Sequence, residues 1–376
     1  MTLPSAPAPT GPATGPATDS FVPVAQFAAT AALVLGFYLL RGSLQGWVAG
    51  SIDPVTVRVI AIAGLLLALL AVWWKVVARD PRFHAPMLVT AVLALSDASF
   101  GLLDNHPAPP WLVDLTGGAL TEYSPTFLTM AATVLCELAL GRFMWGKWPH
   151  PASAYVSGIS AGILVKSSLL WPFLLCGLIS ITSKYVLRIG NRHIWNPTNL
   201  GMTVMLFLAP QHVSSLSVQA GNNGLALVTI WVLGGMVMYK LGRFHIPFAF
   251  ILAFVPLAFL RSAVTGHPWQ TELAPLTHPM FQLYIFFMIT DPKTTVRGWW
   301  KQVGVAVLVA AAETVFRLAF KDVHSLYHAL FVVGPVANVI EIYSDRARAA
   351  RGAQPSRPER TEESVGSVGG AVLGKV

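Results

Sequence analysis

Apolar residues in this chain fall in long uninterrupted runs separated by short polar stretches. The runs at 22–40, 56–77, 86–103, 124–141, 169–187, 224–240, 245–261, 302–320 and 325–343 are long and apolar. A bilayer-spanning helix takes about 20 such residues, with roughly 17 near the minimum. Three further runs, 152–165, 197–209 and 279–290, are apolar but too short to cross without tilt or partners. The pattern predicts an all-α, polytopic helical membrane protein with about ten to twelve transmembrane helices, some of them short or broken half-helices. Backbone interrupted at membrane depth is tolerated only where protein or a water-filled cavity satisfies it, and in transporters such breaks mark the binding site.

The polar stretches set boundaries and orientation. Residues 1–20 form a Pro/Ala/Thr/Gly tract without a basic residue, and 344–376 are Arg-rich and then Gly/Ser/Val-rich. Both compositions predict disordered tails around a transmembrane domain at 21–343. Basic loops at 75–82, 142–147, 184–192, 240–243 and 293–301 alternate with the base-free loops 104–123 and 210–222. With Arg41 as an exception, the positive-inside rule then puts both termini in the cytoplasm of a multi-pass inner (plasma) membrane protein. Trp73-Trp74, Trp145 with Trp148, and Trp299-Trp300 stand at run ends, where aromatic residues favour the headgroup level.

Composition agrees with a lipid environment. Of 376 residues, 54% are hydrophobic and 11% charged, against about 25% charged in a soluble domain. This excludes an ordinary cytosolic enzyme, a disordered chain and a nucleic-acid-binding module. The net charge of +8 follows from basic residues placed beside apolar runs, not from a nucleic-acid surface. Anionic lipid headgroups are the expected contact of the C-terminal Arg cluster. Cys136 and Cys176 both lie in apolar runs and exclude a disulfide scaffold or a Cys-ligated iron–sulfur cluster held by this chain alone.

Two stretches carry chemistry. In the first, a basic loop containing Arg192 runs into Asn196-Pro197-Thr198-Asn199 and the short run 198–209. Pro fits the first turn of a helix, and Asn before it is a natural N-cap. This is either plain capping or a half-helix start that holds an anion or a cofactor phosphate. In the second, a short run ends in Thr290-Asp291-Pro292, followed by Lys293, Thr294, Thr295 and Arg297. Asp before Pro stops the helix. The stretch is either a capped cytoplasmic turn or a set of hydroxyls and cations for phosphate or carboxylate.

At these positions the chain resembles the NqrB/RnfD membrane subunits of the Na⁺-translocating quinone reductase and of the Rnf electron-transport complex. Thr182 to Thr198, ending in Asn196-Pro197-Thr198, is similar in spacing to the family's Gly-rich run into "NPA". Ile289-Thr290-Asp291-Pro292-Lys293-Thr294 is similar to its "ATDP-V-T" element, and Pro335 to Tyr343 to its last-helix pattern, with Glu341 at the family's acidic position. The resemblance covers 150–345 and is closest to stand-alone UnbU-type members of enediyne natural-product clusters. It implies electron transport through FMN or riboflavin, or a quinone, with other electron-transport subunits as partners. The family's covalent FMN attaches to a Thr in an "SGAT" motif. The corresponding loop here, 211–224, contains no Thr, so any flavin is expected to be non-covalent.

A flavin needs an apolar slot, a few polar anchors and positive potential for its phosphate. The expected cavity is the meeting point of half-helix ends, lined by Asn196, Thr198, Asn199, Thr290, Asp291 and Thr294, with Arg192, Lys293 and Arg297 for the phosphate. Ionisable residues within apolar runs are rare and mark function or a structural pair. Asp97 and Glu341 are the candidates for an ion relay, whereas Glu313 and Arg317, four apart on one helix, can pair directly. Glu137 stands five residues before Arg142, and Lys166 can snorkel. His324 and His328 could present two imidazoles to a metal or haem or simply lie at the interface near Tyr327, and no metal site is expected. Phosphate-loop, dinucleotide, nucleophile-elbow and zinc-protease motifs are missing from the sequence. Three functions follow: an electron-transport subunit with coupled cation movement, a small-molecule permease, exporter or self-resistance protein without redox chemistry, or a passive membrane scaffold for a multi-subunit complex.

Overall fold

The computed structural model describes residues 85–86, 89–90, 93, 105–118, 121–189, 192–215 and 224–352. The expected runs 22–40 and 56–77, Asp97, and the tails 1–20 and 353–376 lie outside the described residues. Within them, helices dominate. In chain order they are α1 (Pro110–Leu115), α2 (Pro125–Trp145), α3 (Ala152–Leu164), α4 (Trp171–Val186), α5 (Pro197–Leu208), α6 (Gly224–Leu241), α7 (His245–Thr265), α8 (Trp269–Leu273), α9 (Pro279–Leu283, continued by a π turn over Tyr284–Met288), α10 (Trp299–Phe320) and α11 (Ser325–Gly352).

Four of them, α2, α7, α10 and α11, are long and apolar enough to cross a membrane. The chain is therefore a helical membrane protein, and the expected ten to twelve spans are not confirmed. The three short runs are helices of the predicted kind: α3, α5, and α9 with its π turn. At about 1.5 Å per residue, the 12 residues of α5 cover about 18 Å, well short of a hydrocarbon core of about 30 Å. The 169–187 run forms the 16-residue α4. Large apolar side chains such as Phe143 (90% exposed) and Leu252 (73% exposed) face outward from the long helices, as a lipid solvent permits.

Three two-residue antiparallel pairs tie the short helices together: β1 (His106–Pro107) with β2 (Glu122–Tyr123), β3 (Val165–Lys166) with β6 (Ser214–Ser215), and β4 (Arg188–Ile189) with β5 (Arg192–His193). The second pair joins the chain just after α3 to the chain just after α5.

Helices α2, α3, α4 and α5 form one packed group; α7, α10 and α11 form another, and α5 meets α11 between them. Close approach in the first group depends on glycine. A Cβ on Gly162 would lie 2.7 Å from Thr126 Cα, and one on Gly158 would lie 2.6 Å from Met130 Cα. Membrane helices gain no hydrophobic drive from lipid, so small residues that let backbones touch supply the contact. Thr126 and Thr133 of α2 then donate to Gly162 O (3.1 Å) and Ala154 O (3.2 Å) of α3. Around the other group, Phe250, Phe254, Phe281 and Tyr284 form a buried aromatic cluster.

One boundary differs from expectation. Helix α11 continues past 344 to Gly352, where the sequence pattern predicts a tail from 344. Asp345, Arg346, Ala347 and Arg348 present no breaker, and the run is rich in helix-favouring Ala and Arg, so the helix runs on until glycine.

Candidate functional site

The two proline-marked stretches meet. Asn196 is extended ahead of Pro197 (φ −63°, ψ 122°), and its Oδ1 accepts from Asn199 N at 3.0 Å, which caps α5. Its amide nitrogen donates across to Met288 O and to Asp291 Oδ2, each at 3.3 Å. The start of α5 and the end of the α9–π segment are thus closed onto each other. Asp291 stabilises its own turn, because Oδ1 accepts from Lys293 N (3.1 Å) and Oδ2 from the Thr294 hydroxyl (2.9 Å). The partial positive charge of the α5 N-terminus favours a carboxylate beside it.

Helix α11 completes the junction. Pro335 lacks an N–H, which frees the carbonyl of Phe331 one turn earlier. The Trp195 indole donates to that carbonyl at 3.0 Å. Three residues on, the fully buried Asn338 donates to Ile194 O (3.0 Å) and Thr294 O (2.6 Å) and accepts from Arg192 (3.0 Å). Asn199, from α5, donates to Tyr327 O at 3.1 Å. Broken helices leave carbonyls that cannot stay unpaired away from water, and here neighbouring segments supply the donors.

The expected site residues separate into two kinds. Asn196, Asn199, Asp291 and Thr294 form the junction, and Thr198 is buried in the first turn of α5. Thr290 turns its hydroxyl back onto Phe286 O at 2.5 Å. Lys293 and Arg297 are exposed at the rim. The guanidinium of Arg192, expected to hold a phosphate, is engaged by Glu341 (2.7 Å), Asn338 and Thr295 O (3.3 Å). Glu341, 4% exposed, also accepts from Lys301 (3.1 Å) and from Arg297 N (2.9 Å), so three donors surround this candidate relay group. Asp97 lies outside the described residues.

A cavity of about 20 Å³ lies at the junction, lined by Asn196, Met288, Thr294, Thr295, Leu330 and Pro335 among others. That space suits one water. The half-helix ends are drawn together around it. The Asn196–Asp291 and Asn338 bonds draw the ends together instead of leaving them splayed. Next to the junction, burial and then the charges of Arg188 and Lys293 push the His193 imidazole down to about 4, a sign of positive potential at this rim.

Sequence reasoning missed two features. Asn338 gave a signal, an amide in an apolar helix just after Pro335. Arg261 stood at the end of an apolar run and drew no notice, yet it is fully buried between Glu272 (2.9 Å) and Glu313 (3.0 Å). The expected Glu313–Arg317 pair is formed at 2.8 Å and belongs to this larger network, which also takes in Thr314 and Ser325. Glu137 pairs not with Arg142 but with Lys184 (3.5 Å) and the Tyr185 hydroxyl (3.1 Å), because α4, not the following turn, packs beside it. His324 bonds Ser215 at 3.1 Å and His328 bonds Asp322. Among the described residues no group of three or more potential ligands gathers around a metal position.

No family model and no curated protein matches this chain in sequence.

Proposed function

We propose that this protein is an integral membrane transport subunit built on the NqrB/RnfD plan, in which the junction of half-helices passes a small monovalent cation. The observation that carries this reading is the bond between Asn196 and Asp291, with a water-sized cavity next to Asn196 to which Asn196, Thr294 and Thr295 contribute polar groups. These are the same two stretches in which the resemblance resides. Discontinuous helices whose ends meet at a polar point are how membrane transporters build ion and solute sites. In this reading Asp291 supplies the charge, the carbonyls of Met288 and Thr294, which already accept from Asn196 and Asn338, add their dipoles, and both termini are cytoplasmic in the inner membrane. Electrons come from a flavin or quinone held non-covalently outside the junction, with other electron-transport subunits as partners.

The test is cation flux in proteoliposomes of the full chain. Asp291→Asn is expected to abolish flux while leaving the protein folded, and unchanged flux refutes the junction as the path. Asp97→Asn and Glu341→Gln assign or dismiss the two relay candidates in the same assay. A second reading, a permease or exporter of a natural product without redox chemistry, is favoured by the Thr-free loop 211–224. The visible spectrum of the purified protein separates the two. A flavin band near ~450 nm supports electron transfer, and a colourless stable protein supports the permease.

A further inference from the structure

A groove of about 560 Å³ runs between α10 and α11, and its composition is divided along its length. Most of its wall is small and apolar, with Val305, Leu308, Val315, Val332, Val336 and Ile340 as the principal contributors. Polar groups are confined to one end: Lys301, Glu341, Ser344 and Arg348. From Lys301 to Val315 the groove follows about 21 Å of helix at about 1.5 Å per residue, more than one leaflet of a hydrocarbon core of about 30 Å.

The polar end carries net positive charge. Glu341 is already bound by Arg192 and Lys301, so three cations, with Arg348, stand against one carboxylate. The same end bears exposed Trp299, Trp300 and Tyr343, with Arg346 lying 5.7 Å over the Tyr343 ring. Aromatic residues of this kind sit at the headgroup level of a bilayer. The groove thus presents an apolar trough below the interface and cations at the interface.

We propose that this groove seats an anionic phospholipid, with an acyl chain along the valines and the phosphate at Lys301, Ser344 and Arg348. A cation near an anionic headgroup contributes about 1 kcal/mol, which corresponds to roughly fivefold in affinity. The groove shares Val296, Val305 and Ala337 with the wall of the junction cavity, but the proposal does not depend on what passes through the junction.

The experiment is lipid titration of the full chain in detergent, read by thermal unfolding and by native mass spectrometry. Phosphatidylglycerol is expected to raise the midpoint and to be retained at one molecule per chain, and phosphatidylcholine to do so more weakly. Arg348→Ala is expected to weaken phosphatidylglycerol about fivefold, and Val336→Trp, placed on an exposed groove position, to abolish the effect. Leu308→Trp, also exposed, plugs the same groove from α10 and serves if Val336→Trp does not fold. Equal response to both lipids, a response that survives both plugs, retention of a quinone in place of lipid, or a dimer formed through this face overturns the proposal.

Discussion

Replacing Asn338 tests whether the junction is held by polar satisfaction or by packing. The side chain is fully buried and makes three hydrogen bonds: two donated to Ile194 O and Thr294 O, and one accepted from the Arg192 guanidinium. A buried neutral hydrogen bond contributes about 1 kcal/mol and one to a charged group about 1.5–3 kcal/mol. Removing all three costs about 4 kcal/mol if nothing replaces them. Asn338→Ala leaves space for a water, which recovers part of that loss, so about 3 kcal/mol is expected. Asn338→Leu fills the volume with carbon and bars the water, so its cost stays near 4 kcal/mol or above. The order is the discriminating result, because a packing account favours leucine over alanine. Thermal unfolding of the full chain, followed by tryptophan fluorescence, measures both. At roughly 2–4 °C per kcal/mol for a domain of this size class or slightly smaller, the alanine variant loses about 6–12 °C and the leucine variant more. A leucine variant as stable as the native protein refutes the reasoning.

Three further outcomes follow from the same structure. Arg261→Met removes the cation that bridges Glu272 and Glu313, leaving Arg317 on Glu313, and is expected to cost about 3–5 kcal/mol; adding Glu313→Gln recovers a share of it, measured by the same unfolding assay. Gly162→Ala sets a Cβ at 2.7 Å from Thr126 Cα, so it separates α2 from α3 and reduces the yield of monodisperse protein in size-exclusion chromatography. His193 is held at about 4, below its ordinary 6.5, so between these values the unfolded chain takes up a proton that the folded chain refuses. Its contribution to stability is whole above pH 6.5 and is lost as pH falls towards 4; His193→Gln flattens that limb of the stability profile.

Much of the architecture was legible in the chain itself. Apolar run length located α2, α7, α10 and α11, and the shortness of 152–165, 197–209 and 279–290 foretold half-helices. Asn196-Pro197 and Asp291-Pro292 were readable as breaks because proline acts locally, on its own N–H and on the residue before it. What was not legible was pairing across the fold. Glu137 has Arg142 nearby in sequence, yet it bonds Lys184 and Tyr185 because α4 lies beside α2. Arg192 looked available for a phosphate because its partners, Asn338 and Glu341, lie about one hundred and fifty positions away along the chain. The size of the cavity was equally hidden, since it is set by how far the half-helix ends close.

At the junction, donors from other segments meet backbone carbonyls: Asn196 at Met288, Asn338 at Ile194 and Thr294, Trp195 at Phe331, Asn199 at Tyr327, Arg192 at Thr295 and Arg243 at Thr290. Most of these donors are neutral. Among the described residues, buried formal charge gathers at Glu341 with its cations at the edge of the junction, at Arg261 with its glutamates in the α7–α10 contact, and at Glu137 with Lys184 between α2 and α4. Asp291 stands apart: its carboxylate at the junction accepts hydrogen bonds only from neutral donors. Among the described residues Asp291 forms no salt bridge, although Arg243 and Lys184 lie close enough to feel its charge. This isolates Asp291, among the described junction residues, as the group whose removal is expected to change transport more than stability.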